Sequence, residues 1–319
     1  MGLVFQFPTR LSSLASMAVC LACFAAAAQE PTFDPSKVLS EAMALTQAGE
    51  VARARQLAEE VRARDPLQGG VQNQLGRVYE KLGDNQKARE AYQKAIDLAP
   101  REEDYYLDLV SLLFLQERPR SAVALLKNAL QKIPDSYALT VALGTARQAS
   151  GEKHEALRIF ERAMKMRPDQ AAAFVLYGKQ TTALGQTQAA IQALLKATQI
   201  DAKDARARYY LGVALVSGGR PDSALGEFRK ALEIDPHYAL ARYELAKGLE
   251  RENKMPEAVD EYCRALKDDP SLIQVYYRLY RSYNRLGQKD KAQEALKTFR
   301  VHQNQASGIT VDPTRLTPD

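Results

Sequence analysis

The sequence has few of the residues from which catalytic and metal sites are built. Its 319 residues include only three histidines, which stand far apart at His154, His237 and His302, and Glu155 is the one acid beside them. The chain has no His-Glu-x-x-His motif, no pair of Cys-x-x-Cys motifs and no glycine-rich phosphate loop. Metal and phosphate chemistry requires such spacings because several ligands must converge on one atom. We therefore predict no metal site.

One short segment resembles the end of a Walker A motif, Gly178-Lys179. Ala173 stands where the first glycine of that motif belongs, and Gln180 stands where Ser or Thr would bind magnesium. The segment is therefore not a phosphate loop. Together with the scattered histidines, this predicts that the protein is not an enzyme, binds no cofactor and has no small-molecule substrate.

Residues 1–28 differ from the rest of the chain because they contain no acid and one base, Arg10. An apolar run with small residues follows from Leu11 to Ala27, and an Ala-x-Ala site ends at Ala28. This order is typical of a secretory signal peptide. We predict cleavage after Ala28 and a secreted or periplasmic protein, with an uncleaved membrane anchor as the alternative.

Cysteine is as scarce as histidine, with Cys20 and Cys23 in the apolar run and Cys263 far from both. Acylation of Cys20 or Cys23 would make a lipoprotein, but the residues before each fit a lipoprotein signal poorly. Cleavage after Ala28 would leave Cys263 alone, so the mature chain would have no internal disulfide. We expect Cys263 to be a small packing residue on a helix.

The chain also lacks a strong excess of one charge, with 44 Lys and Arg against 39 Asp and Glu. The basic excess lies toward the C-terminus, in residues 273–319. A nucleic-acid-binding protein would need a denser basic stripe. We therefore predict that nucleic acid is not a partner.

What the sequence does contain is one pattern repeated every 34 residues. Counted from Pro35, position 20 of the repeat is alanine eight times: Ala54, Ala88, Ala122, Ala156, Ala190, Ala224, Ala258 and Ala292. Position 15 is glycine in six repeats, with Glu117 and Asn253 as the exceptions, and position 32 is proline in six. A fixed period of this length indicates an array of stacked supersecondary units.

The period and the small residues resemble the tetratricopeptide repeat (TPR) family, most clearly in residues 69–102 with Leu75, Gly76, Tyr79, Ala88 and Pro100. The resemblance implies an all-α fold, a right-handed α-solenoid of about eight helix-turn-helix repeats. A short lead-in is predicted over 29–34 and a flexible tail over 307–319. We also expect the last repeat to lose its helical structure from Gln303 onward. The predicted repeats are 35–68, 69–102, 103–136, 137–170, 171–204, 205–238, 239–272 and 273–306.

The spacing of small and large residues has a physical reason. Small residues at positions 8 and 20 let the two helices of one repeat approach closely, and a large residue at position 24 fills the space beside them. Glycine at position 15 suits a left-handed residue that ends the first helix. Pro119, Pro221 and Pro256 then fall in the first turn of the second helix, where a missing N–H is harmless.

The resemblance also implies that the first helix of each repeat lines a concave groove, with positions 2, 5, 9 and 12 on one helix face. Position 5 is apolar in the middle repeats, at Leu107, Val141 and Val175. It is then aromatic at Tyr209, Tyr243 and Tyr277, and position 9 adds a basic border at Lys179, Lys247 and Arg281. We predict that these nine residues bind a partner. Tyrosine is common at position 5 of TPR repeats, so family composition remains an alternative explanation.

Chaperone-adaptor members of the family clamp a carboxylate with Lys at position 5 and Asn at position 6. No position 5 here is Lys and no position 6 is Asn, so that function is not expected. The sequence predicts an exported scaffold that binds an extended or helical protein segment, one with apolar and acidic residues. The alternative is an accessory subunit of an envelope assembly, such as polysaccharide export or pilus biogenesis.

Overall fold

A computed structural model of the protein describes residues 33–306. The predicted signal peptide and the predicted 307–319 tail lie outside these residues. Within them, the chain forms sixteen α-helices and no strand. The predicted all-α helical-repeat fold is therefore confirmed. No helix in this part of the chain is long and apolar enough to span a bilayer.

The helices alternate between a first and a second helix in each repeat. The first helices are α1 Pro35–Gln47, α3 Gly69–Lys81, α5 Glu103–Leu115, α7 Tyr137–Ala149, α9 Ala171–Ala183, α11 Ala205–Ser217, α13 Ala239–Arg251 and α15 Ile273–Arg285. The second helices are α2 Val51–Ala63, α4 Asn85–Leu98, α6 Pro119–Lys132, α8 Lys153–Met166, α10 Thr187–Ile200, α12 Pro221–Ile234, α14 Met255–Asp268 and α16 Lys289–Ala306. Each first helix begins at position 1 of its repeat and each second helix at position 17.

The chain divides into two compact units, with the boundary between Ala99 and Pro100. Unit 1 contains α1–α4 and unit 2 contains α5–α16. In unit 1, ion pairs join the two second helices: the Lys87 Nζ lies 2.6 Å from Glu59 Oε1, and Arg55 Nη1 lies 3.4 Å from Asp84 Oδ2. These charges supplement the apolar packing between the first and second helices of unit 1.

The first helices end where the sequence predicts. The residue at position 15 adopts a left-handed backbone conformation, for example Gly151 with a φ of 84°. This conformation ends the first helix and turns the chain into the second. Pro119 and Pro221 each occupy the first position of a second helix, where no N–H is required. The turn between the two helices is therefore encoded by residues that lie next to it in sequence.

The two helices of one repeat pack through position 8 against position 24. A Cβ built on Gly144 would lie 2.4 Å from Cε1 of Phe160, and one on Gly212 would lie 2.5 Å from Cε1 of Phe228. Such distances are shorter than carbon atoms tolerate, so glycine is required for this close approach. The position-20 alanines are essentially completely buried, and Ala190 and Ala224 belong to the core of unit 2.

Two expectations from the sequence are wrong. Helix α16 continues to Ala306, so the chain does not lose structure at Gln303. Asn304 stands where other repeats carry the closing proline, and nothing at this position interrupts the helix. Cys263 is exposed on α14 instead of packed, and its Sγ lies 3.6 Å from the Tyr283 hydroxyl of α15.

Candidate binding face

The apolar residues predicted in the middle repeats lie on three successive first helices of unit 2, α5, α7 and α9. We call the surface formed by the first helices the first-helix face. Leu107 and Val141 are half-buried, whereas Val175 is only 4% exposed. Val175 belongs to a buried cluster with Phe174 and Ala193. A partner could contact the first two side chains in part, while Val175 contributes mainly to the packing of α9 against its neighbours.

Tyr209 is half-buried within an aromatic cluster. Its ring centroid lies 5.0 Å from that of Tyr210, 5.1 Å from that of Tyr238 and 6.1 Å from that of Phe228. Burial raises the pKa of Tyr209 well above its usual value, and the nearby Glu244 carboxylate raises it further. The ring is therefore held in place by packing, as a neutral phenol, and presents only part of its surface.

Tyr243 and Tyr277 belong to two other clusters. The Tyr243 ring lies 5.9 Å from that of Tyr262. Tyr277 is 44% exposed, and its ring lies 5.4 Å from that of Phe299 and 6.0 Å from that of Tyr280. Across residues 33–306, no ring contact joins Tyr209, Tyr243 and Tyr277 to one another. Each tyrosine therefore contributes a separate aromatic patch, and Tyr277 is the most accessible.

The three predicted basic residues differ in how much charge they present. Lys247 Nζ lies 2.8 Å from both carboxylate oxygens of Glu244, so its charge is largely neutralised. Lys179 is exposed, with its Nζ 5.5 Å from the centroid of the Tyr210 ring. Arg281 is exposed as well. Within the described part of the chain neither Lys179 nor Arg281 forms an ion pair, so these two residues carry the available positive charge.

Sequence reasoning missed a polar network centred on Glu250. Its carboxylate accepts hydrogen bonds from the Tyr262 hydroxyl at 3.1 Å and the Ser282 hydroxyl at 2.8 Å, and it pairs with Arg278 at 3.3 Å. These partners lie 12 to 32 residues away in sequence, so no local motif indicates them. The network joins α13, α14 and α15 and positions the helix that carries Tyr277 and Arg281.

Unit 1 has a cleft of about 380 Å³ lined by residues of its two first helices. It is lined by Leu39, Ser40, Met43, Ala44, Gln47, Gln74, Arg77 and Val78. These residues come from α1 and α3, and three of them, Leu39, Met43 and Arg77, stand at positions 5 and 9, which the resemblance assigns to a groove. The lining is mostly uncharged and partly apolar, which suits contact with an apolar side chain.

The histidines do not converge on a common site. His154 is exposed on α8, and the His302 ring stacks on Tyr276 with centroids 5.5 Å apart. The Nδ1 atom of His237 lies 2.8 Å from Asp268, a partner 31 residues away that the sequence did not indicate. Within residues 33–306, no group of three His, Cys, Asp or Glu residues is arranged to hold a metal ion.

Family models described as tetratricopeptide repeat match residues 70–102, 113–179, 182–239 and 219–273. These matches cover most of the chain from α3 to α14, and they fall on the helix pairs that the 34-residue period defines. The chain belongs to the tetratricopeptide repeat family. No curated protein matches this TPR chain.

Solved structures also resemble this TPR chain. The APC/C hetero-tetramer Cut9–Hcn1 has a TM-score of 0.58 at 15% identity, over 80% of this chain and 48% of that one. MamA has a TM-score of 0.46 at 22% identity, over 52% of this chain and 97% of that one. YrrB, a TPR protein with an unusual peptide-binding site, has a TM-score of 0.45 at 23% identity, over 60% and 98% of the two chains. The likeness to Cut9–Hcn1 supports the helical-repeat fold.

Proposed function

We propose that this TPR protein is an exported, non-enzymatic scaffold that holds a segment of a partner protein on the first-helix face of repeats five to eight. The observation that carries the proposal is the combination of an accessible aromatic patch at Tyr277 with the unpaired charges of Lys179 and Arg281. Tyrosine and arginine are enriched among the residues that dominate protein interfaces. Export is supported by the sequence pattern of residues 1–28.

The chemistry of the face favours a segment with apolar and acidic residues. Tyr277 offers a large, rigid contact surface, and Lys179 and Arg281 attract carboxylates. Such exposed charges mainly accelerate association and select among partners. Lys247 contributes less to this selection because Glu244 neutralises it.

The test compares capture of partner proteins in the native host by the wild type and two triple variants. The first variant combines Tyr277→Ala, Lys179→Glu and Arg281→Glu, which are all exposed positions. The Tyr277 ring also contacts that of Phe299, so circular dichroism checks that the variant keeps its helices. Tyr209 is left unchanged because it packs against Phe228. We expect crosslinking and mass spectrometry to show capture weakened at least about tenfold, equivalent to about 1.4 kcal/mol.

A matched control changes the outer surface of the second helices. The control variant combines Leu195→Ala, Lys196→Glu and Arg229→Glu, which are the same kinds of change. The exposed fraction of Leu195, 45%, is close to the 44% of Tyr277. This variant should capture partners as the wild type does. If instead the control loses capture and the first-helix variant retains it, the binding site lies on the second helices and the proposal is wrong.

A further inference from the structure

The first helices at the two ends of unit 2 carry opposite charges. Helix α5, the first of the unit, contains Glu103, Asp104 and Asp108 and no basic residue. Helix α15, the last of the first helices, contains Arg278, Arg281 and Arg285 and no acidic residue. The sign of the charge therefore reverses from one end of the first-helix face to the other.

At each end of the face, two of the charged side chains are exposed and could contact a partner. Asp104 is exposed, as is Glu102 immediately before α5. Arg281 and Arg285 are exposed at the other end. Within residues 33–306 none of these four side chains forms an ion pair. Their charges are therefore not neutralised by the chain itself.

Most charged residues of the first helices between these ends form ion pairs. Helices α7, α9 and α11 contain no acidic residue. Among their basic residues, Arg147 pairs with Glu152 and Arg208 with Glu227, and Arg206 lies 3.5 Å from Asp204. Helix α13 lies between the ends as well, and its Arg242, Glu244, Lys247 and Glu250 are all in ion pairs. Lys179 and Arg251 are exposed and form no ion pair within residues 33–306, so they are the exceptions. The middle of the face is thus mainly apolar and aromatic.

The helix dipole does not explain this arrangement. Acids near a helix N-terminus and bases near a C-terminus stabilise any helix. If that were the reason, the intervening helices would show the same bias, but α7, α9, α11 and α13 have no acid in the first turn, and α9 and α11 have no base in the last. The opposite charges are specific to α5 and α15.

We propose that the partner segment is itself bipolar, with a basic part over α5, an apolar middle and an acidic part over α15. This inference rests on the proposed function, extends the binding face from repeats five to eight back to repeat three, and adds the charge order of the partner. Like charges brought together at an interface are strongly unfavourable, so a uniformly acidic segment would gain at α15 and lose at α5. The two ends stand five repeats apart, well beyond the Debye length of about 8 Å, so each end selects independently.

Synthetic peptides of about 20 residues serve as probes, since an extended chain of this length spans about 60 Å. All share one middle of Leu, Ala and Tyr. The bipolar peptide has three Lys at one end and three Glu at the other, the acidic peptide has Glu at both ends, and the neutral peptide has Gln at both. We expect the bipolar peptide to bind at least about tenfold more tightly than either, with the advantage lost in about 1 M salt.

A photoreactive group at the Glu end of the bipolar peptide reports its orientation. In the wild type it should crosslink to α15. In a variant with Glu102→Lys, Asp104→Lys, Arg281→Glu and Arg285→Glu, the same group should crosslink to α5 instead. Circular dichroism checks that the variant keeps its helices.

The outcomes separate the two proposals. Crosslinks that stay on the first helices but do not move in the charge-swapped variant overturn the bipolar inference and leave the scaffold function standing. Equal binding of the acidic and bipolar peptides would overturn it as well. Crosslinks confined to the second helices, or no binding by any peptide, contradict both.

Discussion

At the scale of single residues, position 15 shows how one backbone conformation constrains the sequence. Six repeats place glycine there with a positive φ, and the other two place Glu117 at 54° and Asn253 at 61° in the same conformation. A side chain makes this region unfavourable by about 1–2 kcal/mol, least so for asparagine. Glu117 is therefore the more strained of the two exceptions.

We predict that Glu117→Gly stabilises unit 2 by about 1 kcal/mol, because the strain outweighs the extra freedom glycine has in the unfolded chain. Glu117 is exposed, so no packing is lost. The reciprocal change, Gly151→Glu, should destabilise by a similar amount, since φ there is 84° with open space around the Cβ. Urea unfolding measures both. If both variants have the same midpoint as the wild type, backbone strain at position 15 is not significant.

At the scale of helices, the close approach within a repeat depends on small residues on facing surfaces. Ala190 on α10 is fully buried, in a cluster that includes Leu194, Leu211 and Phe228. The corresponding position-8 residue on α9 is Gly178, where an added Cβ would lie 2.4 Å from Leu194. The interior of this repeat has no space for additional carbon atoms.

Ala190→Leu is therefore expected to destabilise by about 1–3 kcal/mol through overpacking. Because repeats stabilise their immediate neighbours, hydrogen exchange should increase mainly in α9–α12. Gln188→Leu introduces the same side chain at an exposed position of the same helix and should change stability little. Faster exchange only at distant helices would show that Ala190 does not lie at this helix crossing.

At the scale of the whole molecule, the export proposal concerns residues that lie outside the described part of the chain. We expect N-terminal mass analysis of protein from its native host to give a chain that begins at Gln29, with or without cyclisation, because the predicted signal sequence ends at Ala28. An intact Met1 would contradict cleavage. A lipid on Cys20 or Cys23 would instead indicate membrane attachment by acylation.

The sequence alone determined the helical-repeat fold and the position of each turn. Its decisive signals, such as Gly144 opposite Phe160 or the left-handed Gly151, act within one repeat and recur every 34 residues. It also indicated which side of the first helices could form a binding face. Helical spacing places positions 5 and 9 together whatever the neighbouring repeats contain.

Only the tertiary structure decided which of those side chains a partner could reach. Val175 is buried and Cys263 is exposed because of residues contributed by neighbouring helices. Arg278 is neutralised by Glu250, 28 residues earlier in the sequence, whereas Arg281 remains unpaired within the described chain. Exposure and pairing are properties of assembled helices, and the charge available to a partner therefore emerges only when successive repeats pack together.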